Sequence, residues 1–251
     1  MECEEKMNKA LDILAFGAHP DDVELMAGGT IIKLVQQGYR LGMISLTAGE
    51  MGTRGTPEIR RSEFAAAAEI MGLAMHRMLD IPDGGVSESE ENKRKVIESI
   101  RTWRPALLFA PYWETRHPDH AHCSNLVREA AFLAGLKKIE TGQPHFRPQR
   151  LVYYCEHYHF NPSFVVDVSD TFERRLEAIR AYQSQVFNPD AVLADADERT
   201  HISSPEYFRS IYARAEYWGG RIGVQYGEPF LIRETLGVKD PFSLLIGARG
   251  A

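Results

Sequence analysis

Short apolar runs alternate along this chain with stretches whose apolar residues recur at helical spacing. Leu11-Asp12-Ile13-Leu14-Ala15-Phe16 reads as a buried first strand, and Gly17-Ala18 lets the backbone turn at its end. From Asp22 to Gln37 the residues Val23, Ile31, Leu34 and Val35 fall on one side of a helix that Gly38 closes. Arg40 to Thr47 returns as a strand. Ala48 to Pro57 is a glycine-rich loop carrying Glu50 and Arg54, and Arg60 to Met71 is a helix with an alanine run, ended by Gly72. A short strand around Met78 to Ile81 leads into the turn Pro82-Asp83-Gly84-Gly85, followed by a helix over Glu88 to Trp103 that stops ahead of Pro105. Ala106 to Tyr112 is the next strand, with a helix from about Ala121 to Leu133. Strands and helices alternating at these lengths predict an α/β fold, Rossmann-like, with a mostly parallel sheet covered on both faces.

Beyond Gly135 the alternation loosens. Leu151 to Cys155 and Phe164 to Val168 read as strands, and Phe172, Leu176, Ile179 and Tyr182 lie on one helical face. Asn188 to Ser204 is polar and reads as a long loop, Glu206 to Trp218 as a last long helix, and Phe230 to Ile232 as an edge strand. This part is expected to form an extension packed at the sheet edge. No repeat or linker divides the chain, so its 251 residues are expected to form one domain.

Composition narrows the class. Apolar residues make up 44% and charged residues 25%, as in ordinary soluble domains. A net charge of -6 without a Lys/Arg stripe argues against nucleic acid as a partner. Cys3, Cys123 and Cys155 have no C-x-x-C spacing, which fits a reducing cytoplasm. Nothing resembles a signal peptide or reaches membrane-spanning length, so no membrane partner is expected.

The candidate chemistry lies where two strands end. His19-Pro20-Asp21-Asp22 follows the first apolar run, and His117-Pro118-Asp119-His120 follows Ala106 to Ala110. A single His-Pro-Asp tripeptide is commonly only a turn. Two of them at the ends of parallel strands share one edge of the sheet, where a metal site can be assembled. His19 and Asp22 would supply two ligands and one histidine of the second run a third, leaving a position for water, as in catalytic zinc sites. Asp21 is then free to take a proton from that water, whose pKa zinc lowers from ~16 to ~7. The remaining histidine can donate to a developing oxyanion, with Asp119 orienting its ring. His122 reads as a surface or packing residue, and His157 and His159 as pocket or packing residues. His76, His145 and His201 lack metal-like spacing. Gly28-Gly29 falls inside a helix rather than in a dinucleotide fingerprint, so these glycines are expected to admit a close neighbour. No Walker motif is present.

Several segments together are similar to the LmbE-like, or PIG-L-like, zinc-dependent N-acetylglucosamine deacetylases: AFGAHPDDVELMAGGT, LTAGEMGTRGTPEIRRSE, IPDGG, FAPYWETRHPDHAHCSNLVREAAFLAGL and SFVVDVSDTFERRLEAIRAYQSQ. Within that family the chain most resembles the bacillithiol-pathway enzymes acting on N-acetylglucosaminyl malate. The resemblance spans nearly all of residues 1–251. It implies that His19, Asp22 and His120 bind Zn2+, that Asp21 is the general base, and that His117, paired with Asp119, stabilises the tetrahedral intermediate. Arg54 and Arg116 would hold the malate carboxylates bidentately, and Glu50 would line the pocket. A homo-oligomer, often a hexamer, is implied too. His/Asp ligation also accommodates Fe2+ or another divalent ion. The chain departs from the family at Leu25-Met26-Ala27, where relatives have a glycine-cysteine pair after the leucine. Competing readings are a deacetylase of another N-acetylated glycoside, an amidase of a mycothiol-like conjugate, and a metal-binding protein without activity.

Overall fold

The computed structural model describes residues 10–187 and 200–240, so Cys3 and residues 188–199 of the expected loop lie outside the described residues. Strand β1 (Ile13–Gly17) is fully buried and leads into helix α1 (Asp22–Gln36). There follow β2 (Leu41–Ser45), α2 (Pro57–Met71), β3 (Met75–Met78), α3 (Glu90–Trp103), β4 (Leu107–Pro111), α4 (Pro118–Ala134) and β5 (Arg150–Tyr154). The remaining elements are β6 (Phe164–Asp167), α5 (Phe172–Arg180), α6 (Pro205–Ile222) and β7 (Gly227–Leu231). No helix of the described residues is long and apolar enough to cross a membrane.

The strands form one sheet in the order β3-β2-β1-β4-β5-β7-β6. β3 through β5 run parallel, whereas β7 is antiparallel to both β5 and β6. Side-chain alternation along each strand splits the core between two faces. Ile13, Ala15, Phe109 and Val152 meet α1, α2, α5 and α6 on one face; Leu14, Phe16, Leu108 and Leu151 meet α3 and α4 on the other.

Three expected boundaries move. β3 lies three residues earlier than Met78 to Ile81. As an edge strand it carries His76 and Arg77 with little burial, while the buried Leu79 and Ile81 hang from the carbonyls of Ser45 and Leu46 beyond the strand. α4 begins at Pro118, whose fixed φ suits the first helical position, which places Asp119 and His120 inside the first turn. β7 is not the edge strand: it is buried between β5 and β6, with Phe230 packed against both Phe109 and Phe164. Pro229, which cannot donate to a ladder, gives that segment its edge-like sequence.

Gly28-Gly29 does admit close neighbours. A Cβ at Gly29 would lie 2.8 Å from Val168 Cβ, and one at Gly28 3.0 Å from Arg175 Cγ. Between them runs a buried ion pair that serves the helix backbone. Arg175 donates to the carbonyls of Glu24 and Leu25, while Glu228 accepts from the amides of Gly29 and Thr30 and lies 3.3 Å from Arg175.

From β1 the chain travels outward through β2 to β3, then crosses back to β4 and on to β5. The crevice between the carboxyl ends of β1 and β4 is therefore the topological switch point, where ligands of open α/β sheets bind.

Candidate metal centre

Both histidine runs open at that crevice. After β1, the His19 amide donates to Asp22 Oδ2 at 2.9 Å, which sets Asp22 at the head of α1, where the helix dipole favours a carboxylate. Asp21 turns the corner with a φ of 108°, a conformation costing a non-glycine residue ~1–3 kcal/mol and concentrated at functional sites. After β4, His117 caps α4, its Nδ1 accepting from the Asp119 amide at 3.2 Å. With Nδ1 occupied as an acceptor, the neutral ring carries its proton on Nε2.

Three donors converge. His19 Nδ1 and His120 Nε2 lie 3.2 Å apart, His120 Nε2 is 3.2 Å from Asp22 Oδ1, and His19 Nδ1 is 3.8 Å from Asp22 Oδ2. Donors held ~2.0–2.1 Å from one tetrahedral ion stand about 3.3–3.4 Å from each other; the His19–His120 and His120–Asp22 separations match this spacing, while the two rings approach different oxygens of Asp22. The far nitrogen of each ring meets a carboxylate. His19 Nε2 is 2.9 Å from Asp83 Oδ1 and 3.4 Å from Asp119 Oδ2, and His120 Nδ1 is 3.1 Å from Glu156 Oε2. Such partners fix the orientation of metal-binding imidazoles and strengthen them as donors. His117 approaches the same point, its ring nitrogen within 4.8 Å of those of His19 and His120.

Asp119 differs from expectation. Its carboxylate accepts from the Gly84 amide at 2.7 Å and faces His19; its link to His117 runs through its own backbone amide. The reason is the early start of α4, which turns the Asp119 side chain toward the Pro82–Gly85 turn.

Burial lowers the pKa of His19, but hydrogen bonds to Asp119 and Asp83 and the charge of Asp22 outweigh it and raise the pKa to about 10. Asp22 is pushed up by burial, yet His120 and His19 hold it below the usual carboxylate range. Burial and the adjacent Asp22 raise Asp21 well above that range, against the pull of Arg60. Burial and its imidazole neighbours hold His117 below the ordinary histidine value.

The cluster floors a cavity of 340 Å³. Asp21, His117 and Arg116 line it; Glu50 and Arg54 are not among its lining residues. Glu50 accepts from the Asp83 amide at 2.7 Å, and the Arg54 carbonyl accepts from Gln185. Arg60, on α2, takes the place on the wall expected of Arg54. Its guanidinium donates to Gln185 and sits over Gly49 and Gly52, where a Cβ would collide with it; Gly49, at φ +68°, needs glycine on both counts. Met26, at the position that departs from the family pattern, also lines the cavity, as do His157 and His201. His122 pairs with Glu88, and His159 packs near Trp218.

Arg60, Asp83 and Glu156 lie outside the two His-Pro-Asp runs, and only the fold brings them to the cluster. Glu156 nonetheless carried a signal: it is a carboxylate directly after a buried parallel strand, as Asp21 and Asp22 are.

The family model described as PIG-L, GlcNAc-PI de-N-acetylase, matches residues 14–131, a span containing both histidine runs. Over 241 residues the chain is 32% identical to the diacetylchitobiose deacetylase of Thermococcus kodakarensis, covering 89% of this chain and 84% of that protein. It is 29% identical over 196 residues to a Bacillus cereus protein named probable N-acetyl-alpha-D-glucosaminyl L-malate deacetylase 2, covering 73% and 86%. Among solved structures, a conserved protein from Thermus thermophilus matches with a TM-score of 0.82 at 37% identity, covering 91% of this chain and 98% of that one.

Proposed function

Because this chain belongs to the PIG-L family of de-N-acetylases, we propose that it hydrolyses the N-acetyl group of an amino-sugar conjugate, with His19, Asp22 and His120 holding a catalytic Zn2+. The observation that carries this reading is the convergence of two imidazoles and one carboxylate beside Asp21, a second buried carboxylate that the donor set does not need. When bound, zinc supplies Lewis acidity and makes a water nucleophilic near neutral pH.

The chain's own groups do the rest. Asp21 accepts the proton as the water oxygen bonds to the acetyl carbon, a task for which burial has raised its affinity for protons. His117, neutral and protonated on Nε2, donates a hydrogen bond from that N–H to the carbonyl oxygen as negative charge gathers there. The C–N bond then breaks, Asp21 returns its proton to the departing nitrogen, and acetate and a free amino sugar leave. Asp83 and Asp119 keep His19 oriented, and Glu156 does the same for His120.

For the substrate we infer an acidic conjugate, N-acetylglucosaminyl malate. Arg116 and the buried Arg60, both lining the cavity, support a carboxylate-bearing aglycone. Arg54 would act from outside the cavity lining, so Arg60 is the better candidate for its expected role. A neutral disaccharide is the second reading, favoured by the name of the Thermococcus relative. Zinc-loaded protein given N-acetylglucosaminyl malate or N,N'-diacetylchitobiose, with free amine measured, is expected to turn over the malate conjugate faster. A reversed preference would sink the acidic assignment, and no amine from either substrate would sink the deacetylase reading.

A further inference from the structure

The cavity is charged asymmetrically. Its lining holds the acidic residues Asp21, Asp22, Asp83 and Glu156, with Arg60 near Asp21, and a separate basic group in which Arg116, His201 and Arg214 surround His157. Arg214 comes from α6, far in sequence from both histidine runs. Its Nη1 rests 3.1 Å from Met26 Sδ, a weak acceptor, and its guanidinium carbon is 5.8 Å from the Tyr207 ring centroid. Its Nη2 is buried without an acceptor of good geometry, the Tyr207 side chain interacts with the guanidinium, and no carboxylate pairs with it among the described residues. The two other arginines of α6 are placed differently: Arg209 is solvent-exposed beside Glu206, and Arg221 stacks on Trp218.

A guanidinium offers five N–H groups and accepts nothing, so one held in a cavity wall without an anion is a site lacking its partner. Positive charge gathers around it. Burial, Arg116, His201 and Arg214 together hold His157 below the ordinary histidine value. An acetamide directed at the acidic residues leaves the rest of the conjugate to meet this basic group.

We propose that Arg214 is a specificity-determining residue that selects substrates with an anionic group, a carboxylate or a phosphate, on the part of the amino-sugar conjugate remote from the acetamide. This rests on the deacetylase reading above and adds to it a residue and a charge requirement. Met26 and Tyr207 hold the guanidinium in place, so its fork is set before the anion arrives.

The test compares kcat/KM of the zinc-loaded full chain for N-acetylglucosaminyl malate, N-acetylglucosamine 1-phosphate and neutral N,N'-diacetylchitobiose. In Arg214→Met the anionic-to-neutral ratio is expected to fall by about tenfold or more, mainly through KM of the anionic substrate. Arg214→Lys should recover part of the ratio, and Arg209→Gln on the solvent face should leave it unchanged. Whichever anion shows the larger loss identifies the group bound. Equal losses for anionic and neutral substrates in folded Arg214→Met, or wild-type indifference to charge, would overturn the proposal. If no substrate yields amine, the deacetylase reading fails by itself, and calorimetric binding of L-malate then decides: weakened binding in Arg214→Met supports the anion site, and unchanged binding overturns it.

Discussion

At the scale of single residues, Asp21 and Asp22 are adjacent carboxylates with opposite assignments, and their surroundings set them apart. Asp22 is buried but faces both imidazoles, which favour its ionised form, whereas Asp21 turns away at positive φ into a buried position that favours its proton. Replacing Asp21 by Asn, which tolerates that backbone better than most residues, is expected to preserve zinc content while kcat falls ~10²–10⁴-fold, the range of general-base catalysis. Asp22→Ala should lose zinc as well, measured by metal analysis after dialysis. Wild-type turnover in Asp21→Asn would remove the base assignment. Both residues were legible in the sequence, because a strand followed by His-Pro-Asp-Asp is a local pattern. Arg60 was not, since what marks it is its place over Gly49 and Gly52, and Glu156 was legible only as a carboxylate after a strand, its contact with the far nitrogen of His120 being a meeting in space. Asp119 was legible as a member of the site but not in its partner, because its direction depends on where α4 begins.

At the scale of elements, α1 shows how the fold holds the first histidine run in place. Its Gly28-Gly29 face is pressed against Val168 and Arg175, and Arg175 and Glu228 occupy backbone groups along the same stretch. In Gly29→Ala two effects compete: alanine gains ~1 kcal/mol of helix propensity over glycine, whereas overpacking costs ~1–3 kcal/mol. The new Cβ would stand 2.8 Å from Val168 Cβ, itself fully buried, and 2.9 Å from Glu228 Oε1, which is held in the ion pair with Arg175. With contacts this short the cost wins, and urea unfolding is expected to show a net loss of up to about 2 kcal/mol. A stabilised variant would mean the contact is looser than described. The helix and its glycines follow from apolar spacing alone, as do β1, β2, β4 and both helical layers. The misplaced edge of the sheet does not. Pro229 and a short apolar run look like an edge strand, and only long-range pairing with Phe164–Asp167 puts β7 inside.

At the scale of the whole molecule, the donor set joins two halves of the sheet that diverge from the switch point, so occupancy, pH and stability are coupled. Without metal, His19 stays protonated up to a pKa of about 10, because the effect of burial is outweighed by Asp119, Asp83 and Asp22. A raised histidine pKa contributes stability that is complete below its unfolded value near 6.5 and fades as pH climbs toward 10, so the metal-free protein loses this contribution across that window. A zinc ion held by these residues would need the same ring deprotonated, so its binding would expel that proton; His120 is likewise raised by Asp22 and Glu156 despite burial. The two forms should therefore diverge with pH. At zinc concentrations ~1,000 times Kd the ligand adds about 4 kcal/mol, and for a domain of this size each kcal/mol moves Tm by ~2–4 °C. The Tm gap between zinc-loaded and chelated protein is accordingly expected to be on the order of 10 °C at pH 8 and clearly smaller at pH 6. Titration calorimetry at pH 7 in buffers of differing ionisation enthalpy should count about one to two protons released per zinc. Zero proton release, with a Tm gap independent of pH, would mean the metal does not bind where His19 and His120 meet.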